Sequence, residues 1–183
     1  MAQNILLLAR FFCDRMLLTH LSVGSLLEQE LGCTFVTIEC GASNCASHEI
    51  AYHGIRSLAR FDDFRQGYSY QPVRVMRSPV RVELIADASL TYADENDESF
   101  DLVIKSDIEC RNMDIIPKGY CIGWINGPVT MLVLRDEFGD EIANKALKIE
   151  RGKLIAKHDL QMFMATTDVD MAKNDCMFYI ISL

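Results

Sequence analysis

The spacing of apolar residues changes character once along this chain, near Arg65 to Tyr70. Before that point it is mainly helical. From Asn4 to Leu21, Ile5, Leu8, Phe12 and Met16 share one helical row and Leu7, Phe11, Leu18 and Leu21 a second, leaving a polar strip at Arg10, Asp14 and Arg15. Such a helix needs cover on most sides, from the rest of the fold or from a partner subunit. Ser25 then caps a short predicted helix that Gly32 ends. Thr34 to Cys40 alternates as a strand, Gly41-Ala42-Ser43 turns the chain, and a second long helix is expected from Ser47 to Phe61.

Beyond Gly67 the period becomes two. Val80, Val82 and Leu84 alternate with Arg81 and Glu83, Leu102 and Ile104 with Val103 and Lys105, and Leu147 and Ile149 with Lys148 and Glu150. Turn residues separate these runs at Asp94-Glu95-Asn96-Asp97, Pro117-Lys118-Gly119, Asn126-Gly127-Pro128, Glu137-Phe138-Gly139-Asp140 and Arg151-Gly152. Val129 to Leu134 is almost continuously apolar and is expected to be a central strand covered on both faces. Cys176 to Leu183 reads as the last strand of a sheet. The fold class predicted is α+β: N-terminal helices packed on a mainly antiparallel β-sandwich or small β-barrel, with residues 1–68 helix-rich and 69–183 β-rich, folding as one cooperative unit.

Composition narrows the functions. The chain of 183 residues is half hydrophobic, enough for one sizeable core. Its net charge of −8 supplies no broad positive field, which disfavours nucleic acid as a partner. The N-terminal apolar run is interrupted by Arg10 and Asp14 and fits neither a signal peptide nor a membrane span, so a cytoplasmic protein is expected. In that compartment most of the seven cysteines are expected to be reduced.

Three constellations could carry chemistry. Cys40, Cys45, His48 and His53 are all of types that bind zinc, but five helical positions turn His53 about 140° away from His48. A trio of Cys40, Cys45 and His48 survives as the metal candidate. Cys45 near a helix N-terminus, with His48 one turn on, is the candidate nucleophile and base. Burial of the cysteines with both histidines at the surface is the simpler reading. Arg74, Arg77 and Arg81 form the third constellation, candidates to grip a small anionic ligand or to serve as strand-edge charges. Asp94 to Asp101 and Thr166 to Asp175 fail the calcium-loop pattern, since Ser99 and Lys105 replace the required glycine and glutamate and Ala172 a ligand. The first reads as a solvated hairpin tip and the second as a loop; Trp124 could offer a stacking platform to a sugar or a base, but a single tryptophan at a turn reads more simply as a core plug.

Arg77-Ser-Pro-Val-Arg81, followed by "DIECRNMDI" from Asp107 to Ile115, resembles the R-x-x-x-R and D-x-S-x-x-G halves of a PilZ domain. That resemblance implies a small β-barrel that in its typical form binds cyclic di-GMP. Glu109 and Asn112 stand where the family has serine and glycine. The function expected first is a non-enzymatic protein-interaction or regulatory protein, contacting a protein partner or a second copy through its N-terminal helix. A degenerate PilZ-like barrel taking a nucleotide or other anion comes second, and a small Cys/His or zinc-dependent enzyme third. No cofactor is implied.

Overall fold

The computed structural model describes residues 8–9, 11–18, 45–60, 73–85 and 87–183. These fall into two compact units that meet in sequence at Arg77 and Ser78. The predicted helix at Leu26 to Leu31 and the predicted strand Thr34 to Cys40 lie outside the described residues.

In the first unit the expected N-terminal helix is corrected at its C-terminal half. The chain is helical at Leu8 and Ala9, and Phe12 and Cys13 both donate their N–H to the Ala9 carbonyl at 3.0 Å. It then straightens into strand β1, Arg15–Leu18, which pairs in parallel with β2, Arg74–Arg77. The Arg74 N–H donates to the Asp14 carbonyl at 2.8 Å, closing the ladder at its start. Met16-Leu17-Leu18 is apolar at every position and therefore fits a covered strand as well as a covered helix. The long-range partner decides, because the ladder offers hydrogen bonds that local helical preference does not outweigh. Helix α1, Cys45–Ala59, is present where the 3.6-residue period predicted it. Among its residues of described burial, 48–59, the buried position is Gly54, where an added Cβ would overlap the Phe12 ring.

The second unit is mostly β. One five-stranded sheet has the order β4-β5-β7-β10-β9, formed by Leu90–Tyr92, Leu102–Ile104, Cys121–Ile125, Lys153–Ala156 and Leu147–Glu150. The other has the order β6-β11-β12-β3-β8, formed by Ile115–Ile116, Leu160–Phe163, Phe178–Ser182, Val80–Leu84 and Leu132–Arg135. Both sheets send residues into one core: Leu102, Ile104, Ile122 and Leu154 from the first, Val82, Met162, Phe178 and Ile180 from the second, each fully buried. Burying such side chains contributes about 1.5–3 kcal/mol apiece before the entropy of ordering them is set against it.

Strand alternation explains the register. Val82 and Leu84 enter the core while Arg81 and Glu83 stand on the opposite face. The last strand, β12, lies between β11 and β3, so the C-terminal run occupies the middle of its sheet. Two strands are covered on both faces among the described residues: β11, all four of whose residues are buried, and β5, all three of whose residues are. Val129 to Leu134 is corrected: Val129–Met131 is a 3-10 turn with Val129 exposed, and β8 stands at its sheet's edge. Gln161 hid β11 in the sequence; its amide donates to the Met113 carbonyl at 3.1 Å, which lets a polar residue be buried there.

Turn chemistry was more legible. Arg151 and Gly152, both at positive φ, join β9 to β10 in a two-residue hairpin. The Asp136 carboxylate accepts from the N–H groups of Phe138 and Asp140, bending the chain before Gly139, which has φ 84°. Asp94 to Asp101 is not a hairpin tip, because β4 and β5 run parallel and the segment carries the chain back between them. Asn126 ties it down by donating to the Asp97 and Phe100 carbonyls at 3.0 and 2.8 Å. Within Thr166 to Asp175 the structure has a helix, α2, Val169–Asn174, capped by Asp168, whose carboxylate accepts from the Met171 N–H at 3.0 Å. Trp124 is half-buried on strand β7, neither at a turn nor a fully buried plug.

Candidate functional site

Cys45 opens helix α1, and Cys40 lies outside the described residues, as does the Cys45 side chain. His48 is exposed on the same helix. His53 sits 3.1 Å from Glu49, an exposed pair one turn apart. Among the described residues no group of three His, Cys, Asp or Glu side chains is placed to hold a metal ion.

The three arginines differ in their surroundings. Arg74 and Arg77 are exposed on β2 in the first unit, and alternation along the strand points them to opposite faces. Arg81 belongs to β3 in the second unit, where its acceptors come from its own unit. Its guanidinium donates to the Asp175 carboxylate at 2.6 Å and to the Asp175 carbonyl at 2.8 Å, and its Nε lies 2.9 Å from Glu83. Glu83 in turn pairs with the Arg135 Nε at 2.9 Å. This half-buried chain of alternating charges stabilises the outer face of β3, and its internal ion pairs already balance the charge on Arg81 that a ligand would meet.

Two further groups face this cluster. The Cys176 thiol is pushed up to about 11, by burial first and by the Asp175 carboxylate second, against the pull of Arg81. The Tyr179 hydroxyl is also raised by burial, and its ring stacks on Phe163 with centroids 5.5 Å apart. Burial works against the charge on Arg81, but Tyr179, Asp175 and Glu83 outweigh it and the guanidinium holds its proton more firmly. A thiol held neutral beside a permanently paired cation is a poor nucleophile. The cluster is therefore a structural clamp joining β3, β12 and the end of α2.

The second half of the PilZ-like pattern is also engaged internally. Arg111 grips the Asp107 carboxylate through Nε and a terminal nitrogen at 3.0 and 2.8 Å, and lies over the Tyr120 ring. Glu109 accepts from the Thr167 hydroxyl at 2.6 Å. Asn112 forms a two-way clamp, donating to the Ala165 carbonyl at 2.8 Å and accepting from the Ala165 N–H at 2.6 Å. The position where the family has glycine thus holds a side chain bonded to the segment after β11.

A surface feature outside the three constellations is the apolar side of α1. Tyr52 and Ile55 are 57% and 60% exposed and stand three residues apart, neighbours on the helix, with half-buried Ala51 and Leu58 beside them. The buried position, Gly54, faces a different direction from this pair. Ile50, 48% exposed, flanks Gly54 on its other side. The sequence signal was the width of the helix's apolar arc, which exceeds what one packed face uses.

No protein family, curated protein or solved structure matches the chain. Among the described residues no helix is long and apolar enough to cross a membrane.

Proposed function

We propose that the chain is a non-enzymatic protein-interaction or regulatory protein, and that the Tyr52 and Ile55 face of α1 receives a protein partner. The observation that carries this reading is the pair of large apolar side chains, each more than half exposed, adjacent on one helical face. Covering an isoleucine and a tyrosine contributes about 1.5–3 kcal/mol each, and tyrosine is enriched among the residues that anchor interfaces. Arg81, Glu83, Asp175 and Arg135 are paired with one another, which supports a scaffold in the β unit and contact chemistry on the helix. The two five-stranded sheets are read as a sandwich, on the ground that inward residues of both enter a single core.

Site-specific photocrosslinking in cells tests the reading. A crosslinking residue at Ile55 should give one discrete adduct, lost when Tyr52→Asp is added, while the same residue at exposed Arg56 gives much less. Equal labelling at both positions, or no adduct at Ile55, would contradict it.

A further inference from the structure

Among the described residues the two sheets of the second unit present four edge strands, and they are not equally open. At β8 the chain folds back on itself: Ile142 donates to the Leu134 carbonyl at 2.8 Å and Glu141 bridges to Arg135. Strands β6 and β4 offer only two and three residues. Strand β9 offers four, held in place by the tight turn to β10.

The ladder fixes which backbone groups of β9 face outward. Lys157 donates to the Ala146 carbonyl at 2.8 Å, and pairing alternates along an antiparallel ladder, so Lys148 and Glu150 bond inward to β10. Leu147 and Ile149 point away from it. The outward N–H of Leu147 is already taken by the Asn144 side chain at 2.8 Å. Among the described residues, Ile149 is then the position of β9 whose outward N–H and C=O are both left for another chain. On the outer face Lys148 and Glu150 flank it, 44% and 55% exposed and paired with each other at 2.6 Å.

We propose that β9 is a self-association edge, where a second copy of the chain pairs antiparallel about Ile149. A two-fold axis there sets Ile149 opposite Ile149 of the second copy, exchanging two hydrogen bonds. The same axis sets Lys148 opposite Glu150 of the second copy and Glu150 opposite its Lys148. The four charges alternate in a square, so the intrachain pair is extended rather than broken. Charge complementarity of the edge with itself is what selects a second copy as the occupant. The short strand makes a small, reversible interface, of the size class found in weak and transient assemblies. This inference is independent of the α1 reading, since it uses a different unit and different residues.

Sedimentation velocity on the full chain, over a concentration series reaching several hundred micromolar, tests it. The natural chain should form a dimer that dissociates on dilution. Lys148→Glu and Glu150→Lys, both at exposed positions, should each weaken the dimer about tenfold or more, because attraction becomes repulsion at facing pairs. An equimolar mixture of the two variants should form a heterodimer, and the doubly swapped chain should regain the original dimer. Circular dichroism melts shared by all four chains would show that folding is unchanged. A chain that stays monomeric throughout overturns the proposal. So does a dimer indifferent to the single reversals, or a double swap that fails to restore it. A dimer lost only in Ile55→Asp also overturns it, and would place self-association on α1.

Discussion

The two units meet the same steric problem, a glycine in tight quarters, in different ways. In the first unit the atoms facing Gly54 belong to the Phe12 ring, a side chain that can rotate away. In the second, the Gly123 position on β7 faces the Val103 carbonyl, the backbone of the neighbouring strand, next to a shift in the β7–β10 register. One unit packs through adjustable side chains on a short parallel ladder; the other is fixed by backbone pairing across five strands and a shared core. The contrast teaches where sequence change is tolerated.

The largest expected effect is in that shared core. Phe178→Ala removes a fully buried ring on the central strand β12 and should cost about 3–5 kcal/mol in urea unfolding. Gly123→Ala should cost about 2–3 kcal/mol by the same measurement, because β5 and β7 must separate to admit a Cβ. Gly54→Ala, with only a phenyl ring to displace and a helix preference in its favour, should cost less than about 1 kcal/mol. Equal losses from the two glycine substitutions would remove the distinction between the units.

Alkaline stability sharpens the contrast further. The Cys176 thiol at about 11 and the buried, unpartnered Tyr92 hydroxyl, pushed up to about 12 by burial first and Asp168 second, both hold protons longer in the folded chain than in the unfolded one. Between the unfolded and folded values the unfolded chain binds fewer protons, so stability falls as pH rises. Their contribution should be present below about pH 9 and decline from there toward pH 12. Tyr92→Phe should flatten the upper part of that decline in urea midpoints measured against pH. An unchanged slope would show that the hydroxyl is hydrated.

Much of the β unit was legible because its signals are local. Alternation around Val82 and the glycine turns at Gly139 and Gly152 depend on near neighbours. What escaped notice depends on distant ones. Met16 to Leu18 is apolar throughout, and only β2 makes it a strand. Gln161 disguised the most covered strand, and the parallel pairing of β4 with β5 turned an expected hairpin tip into a crossover. The arginines were visible as a group, but the acceptor that occupies Arg81 lies 94 residues further along the chain. Tyr52 and Ile55 could be seen as apolar helix positions, though not as ones left outside the fold.

That last point is the most directly measurable part of the account. A urea unfolding midpoint for Ile55→Asp is predicted to match the natural chain within about 0.5 kcal/mol, as for an exposed surface residue. A loss of about 3 kcal/mol or more, the size expected when a charge is forced into a packed core, would contradict it and return the α1 face to the interior.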